Sequence, residues 1–375
     1  MTLVDSLRTE AHDLGFDAVG ICRAEETRYW EAFLEWLERG YAGAMQYIPR
    51  RREAYRHPAG VLQGCHTVVM LALGYSSGTD VPPAPGRGRV ARYARGRRDY
   101  HDVVREKLRR LTDWMRRREP EARVRGVVDT APLFEREFAE RAGLGWIGKH
   151  TLLLDRRRGS WFFLAALLTD LILPVDEQPS LQHCGTCTAC LESCPTDAFP
   201  APYQLDARKC ISYLTIEHRG PIPLQLRDGI GDWVFGCDVC QEVCPWNRKA
   251  PAGTEPDFLP QPELSPLDLR SLFELDDASF KRRFAHTPLS RPGRAGLLRN
   301  AAIVLGNQRA VECEPQLCRA LEDDDPCVRG AVAWALGKLG TARGRQALLA
   351  RRSVESDPDV LEEITAALQE GKWEG

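Results

Sequence analysis

At 375 residues, with a formal net charge of -2 and 28% charged residues, the chain is too long for one simple core and too evenly charged to be drawn as a whole toward nucleic acid. Length alone suggests about two or three domains. The neutral average conceals two basic stretches, Arg87 to Arg118 and Lys281 to Arg299, each reading either as a solvated helix face or as a local reader of phosphate.

In chain order, the amino terminus reads as an amphipathic helix, with Leu3, Leu7, His12 and Leu14 set among Asp5, Arg8, Glu10 and Asp13, and not as the apolar core of a signal peptide. From Met1 to about Asp176 helical and strand-like segments alternate, with Thr67 to Leu73 and Gly126 to Val128 as apolar strand candidates, which predicts a layered α/β or α+β domain. Ser76 to Gly88 is rich in proline and glycine and reads as a long loop or lid. The longest apolar stretch, Trp161 to Leu168, has the length of a buried strand and is too short to span a bilayer, so the expectation is a soluble, cytoplasmic protein. Gln178 to about Lys249, dense in Cys, Gly and Pro, predicts a small domain held by metal, and Pro251 to Pro266 has the composition of an extended linker. Beyond Arg291 alanine-rich helices carry a weak repeat: Asp325-Pro326-Cys327-Val328 lies on Asp357-Pro358-Asp359-Val360, and Leu305-Gly306 recurs as Leu336-Gly337. The pattern resembles HEAT-type repeats with a shorter period than usual, the alternative being a plain helical cap. The expected division is 1–176 for the layered domain, 177–250 for a ferredoxin-like domain, 251–290 for a linker and 291–375 for the repeats.

Cys184, Cys187, Cys190 and Cys194, followed by Pro195, reproduce the C-x2-C-x2-C-x3-C-P run that binds [4Fe–4S] clusters. Cys237, Cys240 and Cys244 with Pro245 repeat its second half, and Cys210 stands upstream as the missing first thiolate. The last cysteine of such a run ligates the other cluster. Cys184, Cys187, Cys190 and Cys244 are therefore assigned to one [4Fe–4S] cluster, and Cys194, Cys210, Cys237 and Cys240 to a second. The competing reading is zinc, because two C-x2-C pairs can close a tetrahedral site. Zinc, however, needs four thiolates and not eight with proline stops. Two neighbouring clusters imply transport of single electrons, in a reducing compartment. Cys22, Cys65, Cys313, Cys318 and Cys327 lie outside the pattern and read as packing residues.

Two other motifs tempt. Gly143-Leu144-Gly145-Trp146-Ile147-Gly148 matches GxGxxG, and the stretch to Lys149 nearly matches a P-loop, with His150 where Ser or Thr should bind magnesium. A dinucleotide site needs a strand before the glycines and a helix after them. Here Phe134, Phe138 and Ala142 predict a helix that Gly143 caps, and Thr151 to Leu154 reads as a strand, so the order is reversed. Gly145 and Gly148 still allow close backbone approach to something. Asp99-Tyr100-His101 begins like the D-x-H-x-x-G signature of a cobalamin-ligating histidine, but Val104 replaces its glycine, so no histidine ligand to cobalt is expected and His101 reads as a hydrogen-bonded surface residue.

Arg92-Tyr93-Ala94-Arg95-Gly96-Arg97-Arg98-Asp99-Tyr100-His101, Val128-Asp129-Thr130-Ala131-Pro132-Leu133-Phe134-Glu135-Arg136, Gly143 to Thr151 and the cysteines ending in Cys244-Pro245-Trp246-Asn247 together resemble the epoxyqueuosine reductases, cobalamin-dependent iron–sulfur enzymes of queuosine synthesis in transfer RNA. The resemblance covers essentially the whole chain, with Ala131 in place of an expected glycine and a doubled arginine at 97 and 98 as departures. It implies removal of the epoxide oxygen of epoxyqueuosine at the wobble position, with two electrons and two protons consumed and water released. The electrons would pass from a flavodoxin or ferredoxin through both clusters to cobalamin bound in the amino-terminal domain. By resemblance Asp129 is the catalytic acid that quenches the alkoxide of the opened epoxide. To donate at neutral pH it must keep its proton, which calls for burial and distance from cations. Read without the resemblance, Asp129 is a cap for a helix beginning near Pro132. Arg56, Arg92, Tyr93, Tyr100, His101, Asp129, Lys149 and Ser212 fall in the stretches that contact cobalamin in the family. The substrate would be a tRNA anticodon loop with a splayed base, and the chain would act as a monomer. The rival readings are a reductive dehalogenase-like enzyme acting on organohalides and an electron carrier or scaffold with helical repeats.

Overall fold

A computed structural model describes residues 2–75, 82–176, 183–371 and 373. The chain forms two units: Met1–Gly78, Arg98–Ala207 and Asp238–Leu259 make the first, and Thr79–Arg97, Arg208–Cys237 and Pro260–Gly375 the second. These interleaved segments cut across the linear division read from the sequence. Much of the loop expected at Ser76 to Gly88 lies outside the described residues, whereas its end, Arg87–Val90, is a strand.

In the first unit helix α1 (Leu3–Asp13) opens with a reciprocal cap, in which Thr2 Oγ1 accepts the Asp5 N–H at 3.1 Å and the Asp5 carboxylate accepts the Thr2 N–H at 3.0 Å. Strands β1 (Ala18–Arg23) and β2 (Thr67–Gly74), helix α3 (Tyr100–Arg118), strand β3 (Val124–Val127), helix α4 (Glu135–Arg141) and strand β4 (Phe162–Thr169) follow, with helix α2 (Trp30–Glu38) between β1 and β2. The sheet order is β1-β2-β4-β3 and every pairing is antiparallel, so the layered expectation resolves as α+β. Both faces of β2 are covered. Val68, Met70 and Ala72 pack with Phe138 and Ala142 on the α4 side. The alternate residues Val69, Leu71 and Leu73 face the other way and are equally buried. A side chain at Gly126 of β3 would come within 3.0 Å of Leu108, which shows how closely α3 lies on the sheet. Two-faced burial explains why β2 and β4 read as continuous apolar runs without alternation.

The basic stretch through α3 is divided in its work. Arg98 pairs with Asp257 at 2.9 Å and Lys107 with Glu255 at 2.7 Å, while Arg105, Arg109, Arg110 and Arg117 stay exposed.

In the second unit Arg87–Val90 pairs in parallel with Trp233–Phe235 and antiparallel with Leu267–Asp268. Of the helices Gly293–Gln308, Glu314–Ala320, Pro326–Leu339, Ala342–Arg352 and Pro358–Glu370, the first packs on the third and the third on the fifth. Both repeat elements seen in the sequence have a physical meaning here. Asp325 and Asp357 are helix N-caps, accepting the N–H of Cys327 at 2.9 Å and of Asp359 at 3.0 Å. Gly306 and Gly337 are contact points between helices, where an added Cβ would lie 2.6 Å from Trp334 and 2.9 Å from Ala367. Arg299, expected in a surface patch, is instead 1% exposed, and its guanidinium donates to the carbonyls of Leu214, His218 and Gly220 at 2.7, 3.0 and 2.7 Å. Nor is 251–290 an extended linker: Phe258 packs in the first unit, and Leu267, Leu272, Phe280 and Phe284 are buried in the second. Their apolar side chains, spaced between the prolines, override the proline-rich composition. Among the described residues no helix is long and apolar enough to cross a membrane.

Candidate active site

The acid predicted from sequence stands where the chain leaves β3. Helix α3 starts at Asp99, whose carboxylate accepts the His101 N–H at 2.9 Å and so fixes the first turn. That cap turns Tyr100 and His101 toward the loop after β3. Tyr100 lies flat on Phe163 of β4, ring centroids 4.1 Å apart and planes at 6°, and its hydroxyl donates to Asp129 Oδ2 at 2.6 Å. His101 Nε2 is 3.1 Å from the same oxygen, and His101 Nδ1 is 3.0 Å from Asp99 Oδ1. A neutral imidazole carries one N–H, so it cannot donate in both contacts. Both ring nitrogens of His101 thus meet carboxylates, and at 7% exposure it is not the surface residue the sequence suggested.

Asp129 itself has φ +54°, a left-handed conformation that aspartate tolerates better than most residues. Its side chain is 57% exposed, so the burial expected of a neutral acid is absent. Two polar neighbours, the Tyr100 hydroxyl and the His101 ring, meet its Oδ2 instead. Asp129 is no helix cap either: α4 begins at Glu135, behind Phe134, which makes no side-chain cap bond. Instead the Asp129 N–H donates to Glu135 Oε1 at 2.8 Å. Burial, and after it the neighbouring charge of Asp129, pushes the Glu135 carboxyl up to about 8. Sequence reasoning quoted Glu135 without giving it a role. Its signal was present only as a carboxylate six residues after Asp129 on the far side of a Pro-containing turn.

Asp129, Glu135 and Arg136 line one end of a cavity of about 650 Å³, whose wall continues through Phe33, Ile147 and Tyr203. That volume lies within the roughly 300–1,000 Å³ of small-molecule sites. Many protein atoms surround Glu135 and Arg136, yet solvent reaches them through this opening, and burial pushes the Arg136 guanidinium down from its ordinary range.

Tyr203 of the cavity wall lies within electrostatic reach of Cys184 and Cys190. Burial and the mutual charges of Cys244, Cys184 and Cys187 push Cys190 up to about 11, which shows that these four sulfurs share one neighbourhood. None is in a disulfide. Among the described residues no group of His, Cys, Asp or Glu side chains is gathered closely enough to hold a single metal ion. Cys184 and Cys244 pack with Trp146, Leu154 and Trp246, and the Trp146 Nε1 donor is buried without an acceptor among the described residues. An orphaned N–H beside two free thiols fits a sulfur-rich group. Of the remaining four, Cys194 and Cys240 belong to the first unit and Cys210 and Cys237 to the second. The Cys194 sulfur accepts the Ala198 N–H at 3.4 Å, as a thiolate ligand would.

The glycine stretch is a helix end and a hairpin, not a nucleotide loop. Gly143 takes φ +75° after α4, and an added Cβ at Gly145 would lie 2.0 Å from the Leu154 carbonyl. The approach these glycines permit is thus to the chain's own hairpin, Trp146–Ile147 against Leu153–Leu154. The strand expected at Thr151 to Leu154 shrinks to that pair because Thr151 takes φ +69°.

Of the residues assigned to cobalamin, Tyr100, His101 and Asp129 are brought together. Arg56 pairs with Glu26 at 2.5 Å, and Lys149 Nζ donates to the Gly185 and Cys187 carbonyls at 2.7 and 2.9 Å. Arg92, Tyr93 and Ser212 lie in the second unit, where Tyr93 packs near Phe235.

Comparison with known families follows the same lines. Residues 183–247 match the 4Fe-4S double cluster binding domain, 56–130 the family described as Epoxyqueuosine reductase QueG, DUF1730, and 293–369 HEAT repeats. An epoxyqueuosine reductase from Pseudomonas aeruginosa is 42% identical over 343 residues, 90% of this chain and 95% of that one. The Escherichia coli protein of that name is 38% identical over 340 residues, 90% and 89% of the two chains. A crystal structure of epoxyqueuosine reductase with a tRNA-Tyr epoxyqueuosine-modified tRNA stem loop superposes with a TM-score of 0.92 at 32% identity, over 99% of each chain. A Bacillus subtilis epoxyqueuosine reductase, described with its aspartate-bearing catalytic loop swung out of the active site, gives 0.90 at 31% identity over 98% of each. The chain belongs to the epoxyqueuosine reductase family.

Proposed function

We propose that this protein reduces epoxyqueuosine to queuosine at the wobble position of tRNA anticodons. The observation that carries the reading is Asp129, which meets Tyr100 and His101 and lines the same cavity as Tyr203, itself within electrostatic reach of Cys184 and Cys190. A proton donor and a source of single electrons are the two things that opening an epoxide to an alkene demands. The balance is two electrons and two protons in, and one water out. The first proton meets the alkoxide as the carbon–oxygen bond breaks, and the second completes the departing water. Asp129, recharged through His101 with Asp99 behind it, supplies a proton at Oδ2, and Glu135 keeps a further one beside the same loop.

Cys184, Cys187, Cys190 and Cys244 would hold one [4Fe–4S] cluster, and Cys194, Cys210, Cys237 and Cys240 the other. Bound cobalamin would supply a low-potential cobalt centre for the reduction, and the cation and hydroxyl donors of Arg92, Tyr93, Tyr100 and Ser212 suit its phosphate and amides. Arg56, Lys149 and the Tyr100 hydroxyl already bind protein groups. The relative solved with a modified tRNA stem loop supports RNA as substrate, and the exposed arginines of α3 offer charge for its phosphates. The electron donor would be a small carrier of the flavodoxin or ferredoxin type, and the working form a monomer in the cytoplasm.

The test is nucleoside analysis after anoxic incubation of the reconstituted, reduced protein with an epoxyqueuosine-bearing anticodon stem loop. Loss of one oxygen from the modified base is expected. No conversion by protein with full cluster and cobalt content, or dehalogenation of an organohalide in its place, would overturn the reading.

A further inference from the structure

We propose that the indole N–H of Trp146 donates a hydrogen bond to a sulfur of the first iron–sulfur cluster and, with the Lys149 ammonium, raises that cluster's reduction potential. The inference rests on the reading that Cys184, Cys187, Cys190 and Cys244 hold a cluster.

Trp146 is 3% exposed and sits among Leu154, Trp246, Cys184 and Cys244. Its ring meets Trp246 edge-on at 5.0 Å and His183 edge-on at 4.8 Å. The indole nitrogen is a donor only. It is buried with no acceptor among the described residues, a state that costs about 1–3 kcal/mol unless something supplies one. The polar atoms that a sulfur cluster would bring are acceptors, and they would arrive beside the two thiols that Trp146 already touches.

The position is also rigid. Trp146 begins the short hairpin with Leu153–Leu154, and the neighbouring Gly145 lets that strand approach the Leu154 carbonyl more closely than any other residue could. Three residues on, the Lys149 ammonium is fixed by the Gly185 and Cys187 carbonyls, inside the loop that carries the first two cysteines. Reduction adds one negative charge to the cluster. A donor aimed at sulfur and a cation at its loop both stabilise that charge, and hydrogen bonds to sulfur are among the factors that set such potentials. The glycine stretch that imitates a nucleotide loop thereby acquires a role: it presents two electropositive groups to one metal centre.

The experiment uses the full chain, purified anoxically and loaded, with iron and sulfide counted first. Trp146→Phe keeps an aromatic ring, smaller than the indole, and removes the N–H. The first cluster's midpoint should fall, its equilibrium constant for reduction dropping by up to about tenfold, or about 59 mV for one electron. Pulsed EPR of the reduced cluster should lose one exchangeable-proton coupling in the variant. Lys149→Met should lower the midpoint further, and Lys149→Arg should restore it. An unchanged potential with the proton coupling retained overturns the proposal. Should Trp146→Phe fail to load, the isosteric benzothienyl-alanine at position 146 makes the same comparison without altering volume. Wild-type protein that takes up no iron overturns the cluster assignment and this inference together.

Discussion

Replacing Asp129 by asparagine removes the proton and very little else. Asn tolerates the +54° φ of this position, and its amide oxygen can still accept the Tyr100 hydroxyl now 2.6 Å from Oδ2. Because the side chain is 57% exposed, no buried charge is created or stranded, and the melting temperature should stay within a degree or two of wild type. What is lost is acid catalysis, worth a factor of about 10² to 10⁴, or roughly 3–5 kcal/mol in the barrier. The loss should fall on kcat, with affinity for the modified stem loop unchanged, because the ground state needs no proton from this group. Single-turnover conversion by pre-reduced protein separates this step from electron supply. His101→Gln should lower the same rate, and the double variant should be little slower than Asp129→Asn alone, because the two act as one proton path. A fall of less than tenfold in Asp129→Asn, or additive losses in the double variant, would refute the reasoning.

The Glu135 carboxyl, pushed up to about 8, should impose an alkaline limb on the rate, falling as pH rises through about 8, because ionisation there places a second negative charge beside Asp129 where an alkoxide must form. Glu135→Gln should flatten that limb. It should also stabilise the fold at pH 9, since a carboxyl whose folded value is raised above its unfolded one weakens the native state as pH rises. In the helical repeats the Arg329 and Arg351 guanidiniums hold the Glu355 carboxylate down at about 2. Its contribution is present above the unfolded value near 4.5 and is lost as pH falls through about 2, which acid titration of the melting temperature will follow. Glu355→Gln leaves Arg329 without its charge partner and should cost about 3–5 kcal/mol in urea denaturation. Gly306→Ala would drive a methyl to 2.6 Å from Trp334, and overpacking of about 1–3 kcal/mol should exceed the helix-propensity gain of roughly 1 kcal/mol, lowering the melting temperature.

The parts of this molecule that could be read from sequence are those set by local chemistry. Cysteine spacing marks a covalent requirement, and the Asp-Pro pairs at 325 and 357 mark helix starts, because an N-cap depends on residues within one turn. Apolar runs located β2 and β4 to within a residue, since burial on both faces leaves no other composition. Contacts across long separations were hidden. Nothing near Asp129 announces its left-handed backbone or its two donors 28 and 29 residues upstream. Lys149 looked like a phosphate or cofactor contact, but its partners are carbonyls of the Gly185 to Cys187 loop, and a backbone acceptor has no sequence signature. Proline-rich 251–266 read as extended because composition does not record that Phe258 and Leu264 find hydrophobic neighbours.

The central claim is that eight of these cysteines carry two iron–sulfur clusters feeding a corrin-assisted reduction. Elemental analysis of anoxically prepared, reconstituted protein tests it most directly. The account predicts about eight irons and eight sulfides per chain, with cobalt near one after incubation with cobalamin and negligible zinc. Zinc bound in place of iron, or full iron loading with no cobalt retained, would contradict it.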